Sequence, residues 1–304
     1  MKLKSTFKSS FSIDRNILDI KINPKLKEKY PTGIDFIDDA LGNGRGLTPS
    51  MVVLFTGEPG AGKSTMMLEL ANSLTQKGNA VYYNSAEEAE EQINMTCERL
   101  NLKHGFIPGC ETNVDKIISN CELIRSSDKY KDKQLFLIID SLQTLETEST
   151  SNSITCLEML TDYAKENFIN IILIGQVNKS GTMAGSQKLK HIVDAMAHLS
   201  VYTKPPRNDE PDMRGFRLLT VEKNRFGSNG WTFFLDLTSE GFLEVARIGA
   251  DSRNAKKSEI KQFEAATNQQ QQEVRKSIVS EESNDTVNEF KEKFEKIKKE
   301  MMGV

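Results

Sequence analysis

The chain has little of what marks a secreted, membrane or metal-scaffold protein. Its four cysteines, Cys97, Cys110, Cys121 and Cys156, are spread without any C-x-x-C pair. That spacing argues against a zinc ribbon and offers no disulfide framework, so reduced, structural thiols are expected. No apolar run approaches the ~20 residues of a membrane-spanning helix. The N-terminus, Met1-Lys2-Leu3-Lys4-Ser5, has no hydrophobic signal core. The expectation is a soluble, cytoplasmic protein. Neither sign of charge dominates: the formal net charge is −3 over 304 residues. A globally basic nucleic-acid binder is therefore excluded, and any contact with nucleic acid must be local.

The small net charge conceals an uneven spread. Residues 1–30 carry eight Lys/Arg against three acids, and residues 251–304 carry eleven of each. Between them the chain reads as one α/β domain over 31–250. Apolar runs at 51–56, 80–84, 135–139 and 169–174 alternate with helical stretches at about 63–77, 88–100, 114–125 and 154–167. Such alternation predicts a mostly parallel sheet with helices on both faces. Three further strands, 198–203, 216–222 and 232–236, are joined by turns, including Gly227-Ser228-Asn229-Gly230, and extend the sheet in antiparallel fashion. Residues 1–30 read as an arm that docks on a neighbour or stays weakly ordered. Residues 251–283 form a polar, Gln-rich linker. Over 284–304, Val287, Phe290, Phe294, Ile297 and Met301 recur every three or four residues, the pattern of an amphipathic helix.

The chemistry begins at Gly57-Glu58-Pro59-Gly60-Ala61-Gly62-Lys63-Ser64-Thr65, which matches the phosphate-loop pattern G-x-x-x-x-G-K-[ST]. Glycines let the backbone turn its N–H groups towards an anion, Lys63 supplies a cation for the β/γ-phosphates, and the Ser64 hydroxyl suits Mg²⁺. The strand Val52-Val53-Leu54-Phe55 before it and the helical Met66 to Ala71 after it are the context the motif requires. ATP with Mg²⁺ is the expected ligand.

Three downstream strand tips carry polar residues. Leu135 to Ile139 ends in Asp140, where an acid can hold Mg²⁺ directly or through water. Val81 to Ser85 leads to Glu87 and Glu88, and Glu87 is the favoured carboxylate for polarising the attacking water. Ile171 to Gly175 ends in Gln176, placed to sense a γ-phosphate. The loop from Val177 to Lys190 holds Lys179, Lys188 and Lys190 and no acid, which makes it the candidate DNA contact. Lys223-Asn224-Arg225-Phe226-Gly227 puts two cations before a turn, and in ring ATPases such a cation from a neighbour stabilises transition-state charge.

These motifs, in this order, resemble the bacterial RadA (Sms) DNA repair and recombination ATPases of the RecA/DnaB-like class. The likeness runs from Pro31-Thr32-Gly33-Ile34 through Ser85-Ala86-Glu87-Glu88, Ile139-Asp140-Ser141 and Gly175-Gln176-Val177-Asn178-Lys179 to Gly241-Phe242. The Lys223-to-Gly227 string is its most specific part. The resemblance implies a RecA-like P-loop core and a hexameric ring with ATP between subunits. It further implies translocation on single-stranded DNA, with branch migration of recombination intermediates. By position it implies Lys63, Ser64 and Thr65 on phosphates and Mg²⁺, Asp140 as the metal-side acid and Glu87 as the catalytic carboxylate. Lys223 and Arg225 would then reach a neighbour's nucleotide or DNA. The chain departs from the family in lacking a four-cysteine zinc motif and a Lon-protease-like domain, as a trimmed, phage-encoded version would. It also carries Ala86 for a glycine and Gln176 for a sensor histidine. The competing readings are a replicative-type hexameric helicase or its loader, and a clock-type assembly ATPase that binds protein rather than DNA.

Overall fold

The computed structural model describes residues 13, 16–176, 186–205 and 212–249. The proposed linker and C-terminal helix, and Lys179, lie outside the described residues. Four apolar runs become buried parallel strands: β1 (Val52–Gly57), β2 (Ala80–Ser85), β4 (Leu135–Asp140) and β5 (Asn170–Gln176). Every residue of the first three is buried, as unbroken apolar runs without alternation require when both faces of a sheet are covered. The helices between them are α2 (Lys63–Gln76), α3 (Glu90–Arg99), α4 (Val114–Ser126) and α5 (Ser153–Asn167). Asn113 and Asn152 cap α4 and α5, their side chains accepting from the Lys116 and Ile154 amides.

The described sheet has nine strands in the order β3-β2-β4-β5-β1-β6-β7-β8-β9. It adds β3 (Ile107–Gly109), β6 (Ala195–Val201), β7 (Arg217–Asn224), β8 (Thr232–Thr238) and β9 (Gly241–Ile248). β1 pairs in parallel with β5 and with β6, while β7 and β8 form an antiparallel pair with Leu219 opposite Phe233. Ile117 and Cys121 of α4 and Leu157 and Leu160 of α5 join Leu54, Leu137, Ile139 and Leu173 in one buried cluster on a face of the sheet.

Several features differ from the sequence expectation, among them the short β3. A first helix, α1 (Asp35–Gly42), precedes β1. β9 follows β8 where no strand is expected. The segment expected as a continuous basic loop up to Lys190 ends in a helix, α6 (Ser186–Ile192), so Lys188 and Lys190 are helical residues. The chain divides into two compact units. The first holds Met1–Ser200 and Arg217–Arg247, and the second Val201–Phe216 and Ile248–Val304. In the second unit, Tyr202 and Phe216 are joined through backbone hydrogen bonds, and Arg214 pairs with Asp212. All four cysteines are free thiols, and of these only Cys110 is exposed. Among the described residues, no helix is long and apolar enough to cross a membrane.

Candidate active site

Parallel strands that start together end together, so β1, β2, β4 and β5 deliver their C-terminal tips to one edge of the sheet. The tip of β1 turns into the phosphate loop. Gly57 lies so close to β6 that a Cβ there would stand 2.2 Å from the Leu199 carbonyl oxygen. Gly62 has φ +100° and begins α2 in the left-handed region, where a side chain is strained. A Cβ at Gly62 would also meet the Phe242 ring at 2.8 Å and Leu237 at 3.1 Å, so the β8–β9 hairpin packs directly on the loop. The same hairpin is tied to α2 by Glu69, whose carboxylate accepts from the Phe242 amide at 3.0 Å. Glu58, Pro59 and Gly60 form the exposed crest, and Ala61 is buried beneath it.

Lys63 folds over this crest, its Nζ donating to the Gly57 and Glu58 carbonyls at 2.9 Å each. Burial lowers its pKa, opposed by attraction from Asp140, Glu87 and Glu58. Ser64, at the start of α2, hydrogen-bonds Asp140, which is 5% exposed at the tip of β4 and also accepts from the Tyr83 hydroxyl at 3.3 Å. Burial raises the Asp140 pKa; the Ser64 bond counters it and the neighbouring Glu87 charge adds to it. Thr65 follows on the same helical turn and is partly buried.

Glu87 sits just beyond β2 and is exposed. Gln176 at the tip of β5 donates from Nε2 to both of its carboxylate oxygens, at 3.0 and 3.2 Å, and the Ser141 hydroxyl donates to it as well. Gln143 completes the arrangement. Its side chain accepts from the Gln176 amide at 3.2 Å and donates to the Gln176 carbonyl at 3.4 Å. Ser141 and Gln143 are absent from the sequence reading of the site. They follow Asp140 immediately, and an acid-Ser-x-polar run after a buried strand is the signal that could have found them.

The remaining candidates stand apart from this cluster. Lys188 is exposed on α6, and Lys190 pairs with Glu222 at 3.3 Å. Lys223 donates to the Lys190 and Val193 carbonyls at 2.5 and 2.7 Å, capping the end of α6 as a cation at a helix C-terminus does. Arg225 donates to the His191 carbonyl at 3.0 Å and pairs with Asp194 at 3.2 Å, with its side chain 51% exposed. Asp194 also accepts from the Val52 amide, so Arg225 lies at the foot of β1 while the phosphate loop lies at its top. At ~3.3 Å per residue the separation is about 17 Å, beyond the reach of an arginine side chain. Neither cation can touch its own chain's loop.

Comparison with known proteins agrees with this geometry. A family profile described as "AAA domain" matches residues 48–179. The chain is 32% identical over 231 residues to the DNA repair protein RadA of Aquifex aeolicus, covering 73% of this chain and 48% of that one. It is 35% identical over 210 residues to RadA of Streptococcus pneumoniae, covering 66% and 46%. It thus spans about half the length of the curated relatives it matches. Among solved structures, one ATPase domain superposes with a TM-score of 0.59 at 16% identity, over 71% of this chain and 91% of that one. A DnaB-like replicative helicase superposes with the same score and identity, over 71% and 62%. Phosphate loop, strand-tip acids, sheet order and relatives converge: the chain carries a RadA-like P-loop ATPase domain of RecA-type fold.

Proposed function

We propose that the chain is a DNA-dependent ATPase motor of recombination or repair whose active site is completed by a second subunit. The observation that carries the reading is the Glu87–Gln176–Ser141–Gln143 cluster set against Lys63, Ser64 and Asp140. The triphosphate lies in the loop from Gly57 to Thr65, with its γ-phosphate towards Gln176. Half-buried Ser64 and buried Asp140 form an all-oxygen pair beside the loop, a donor set that fits Mg²⁺, which takes one or two protein ligands and keeps its waters. Bound there, Mg²⁺ supplies charge neutralisation at the β- and γ-phosphates. Glu87 accepts the proton of a water whose oxygen attacks the γ-phosphorus as the bond to the ADP oxygen breaks. Lys63 leaves its two carbonyls for the phosphates. Gln176 bridges Glu87 and Gln143, so loss of the γ-phosphate is felt in the chain that follows β5.

Arg225 is the subunit-completing group in this reading. Its distance from its own loop supports a role at a neighbour's nucleotide, which a ring of such chains, a hexamer as in related motors, would supply. Translocation on single-stranded DNA follows from the likeness to RadA. Lys179 and Lys188 remain candidate DNA contacts, whereas Lys190 is paired to Glu222 within the chain. The replicative-helicase reading shares all of this and differs only in the DNA substrate. The test is the ATP hydrolysis rate with and without single-stranded DNA at low salt, where phosphate contacts are strongest. Stimulation supports the motor. A rate indifferent to DNA sinks it and favours an assembly ATPase that binds protein.

A further inference from the structure

Tyr83 is a buried phenol to which the site described above gives no task. It stands in β2 and is 2% exposed. Side chains alternate along a strand, so Tyr82 joins the cluster with α4 and α5 while Tyr83 turns to the other face of the sheet. The register of β2 on β4 sets Tyr83 opposite Ile138 and Ser85 opposite Asp140. Tyr83 and Asp140 therefore share one face, with Tyr83 two residues deeper in the sheet than the strand tips. A hydroxyl buried there needs an acceptor. It donates to Asp140 Oδ2 at 3.3 Å. The Phe106 ring packs against the phenol, with centroids 5.3 Å apart and planes inclined by 37°, and so holds the direction of the hydroxyl.

Asp140 is thus gripped from two sides, by Ser64 of α2 from the loop and by Tyr83 from the core. The grip matters because the last torsion of an aspartate is broad and roughly two-fold. Burial alone does not decide where the carboxylate lone pairs aim. Mg²⁺ is exacting about that aim, since it demands near-ideal octahedral geometry, whereas Ca²⁺ accepts varied arrangements. Ser64 is itself one of the two metal-side groups, so it is not an independent support for the other. Tyr83 is such a support, because it approaches the acid from behind. At 3.3 Å its bond is long for O–H···O, and its contribution is direction more than strength.

We infer that Tyr83 is a positioning residue for the metal-side acid: its hydroxyl sets the rotation of the Asp140 carboxylate, and through it the preference of the site for Mg²⁺ over larger cations. The inference rests on the Ser64–Asp140 metal pair proposed above. It needs neither DNA nor a second subunit. Tyr83→Phe isolates the effect, because it keeps the ring that packs on Phe106 and removes only the oxygen that faces Asp140.

The test uses the full chain and a fluorescent, non-hydrolysable ATP analogue, with Mg²⁺ or Ca²⁺ titrated from a metal-free start. A partner that holds a metal ligand in place is typically worth about 10–100-fold in metal affinity. Tyr83→Phe should bind the analogue as the parent does in EDTA, with the circular dichroism spectrum unchanged. It should need about 10-fold more Mg²⁺ for half-maximal enhancement of binding, while its Ca²⁺ requirement moves less. A Mg²⁺ curve that coincides with the parent's overturns the inference. So do equal shifts for the two cations and a loss of metal-free binding, since either marks loosened packing rather than lost aim. A double-mutant cycle tests the route of action. With Asp140→Asn in place, Tyr83→Phe should raise the Mg²⁺ requirement no further; an additive shift means that Tyr83 acts elsewhere and overturns the inference. A parent whose analogue affinity ignores Mg²⁺ refutes the Ser64–Asp140 pair and the inference with it. A parent that responds while Tyr83→Phe matches it refutes the role of Tyr83 alone.

Discussion

Among the groups around the phosphate loop, Glu69 offers a sharp test, because its environment is set by one contact. Burial in α2 pushes its pKa up from 4.5 to about 7, opposed by the hydrogen bond from the Phe242 amide. The sign follows from proton binding. The folded chain holds this proton longer than the unfolded chain, so Glu69 contributes stability that is present at low pH and lost as pH rises from 4.5 through 7. A tenfold difference in proton affinity between the two states is worth about 1.4 kcal/mol. Between about pH 5 and 8, with allowance for its partial exposure, the loss comes to about 2 kcal/mol. Glu69→Gln keeps the oxygen that accepts from Phe242 and removes the ionisation. Urea or thermal unfolding across that range should therefore show the variant gaining on the parent by about 2 kcal/mol, or about 4–8 °C in midpoint for a domain of this size. Parallel curves for the two proteins would refute the reasoning. Because the same hairpin sets Phe242 against Gly62, nucleotide affinity should follow the same pH trend in the parent and flatten in the variant.

Three other outcomes are expected. Arg225→Ala should leave ATP binding close to the parent's while hydrolysis falls about 10³-fold, as for loss of a finger supplied in trans; equal loss of both, by nucleotide titration and phosphate release, would make Arg225 structural through Asp194. Glu87→Gln should bind ATP and lower turnover roughly 10²–10⁴-fold, the worth of a positioned base, which single-turnover kinetics would register. Gln143→Ala, which frees the backbone of Gln176, should reduce DNA stimulation more than basal hydrolysis, measured as the ratio of the two rates.

The central strands are legible because residues buried on both faces need no alternation. Runs such as Leu135 to Ile139 admit little else, and β1, β2, β4 and β5 start and stop within about two residues of expectation. β9 is not legible. Its sequence, Gly241 to Ile248, mixes Phe242 and Val245 with Glu244 and Arg247, and only the structure shows those two charges paired together with Asp39. α1 hides similarly behind Asp38, a buried acid that holds the Thr32 and Gly33 amides. At the site, residue type reveals Lys63, Ser64, Asp140 and Glu87 as candidates, since each stands in or just beyond a strand tip. The bond from Gln176 to Glu87 joins positions 89 apart and depends on strand order, which no local pattern carries. Lys223 reads as a free cation in the sequence because the helix end it caps, that of α6, is not foreseen there.

The position of β1 in the sheet has a consequence for synthesis. Its partners, β5 and β6, lie far along the chain, and the Val52 amide waits for an acid 142 residues away. At ~5–20 residues per second, the ribosome needs roughly 7–30 s after making Val52 to deliver Asp194. During that interval the phosphate loop has its sequence but not its complete frame, and the apolar strand before it lacks at least one of its two neighbours. The loop that dominates the sequence is therefore fixed in place late, and a chain cut short before β6 carries the motif without the strand that packs against Gly57.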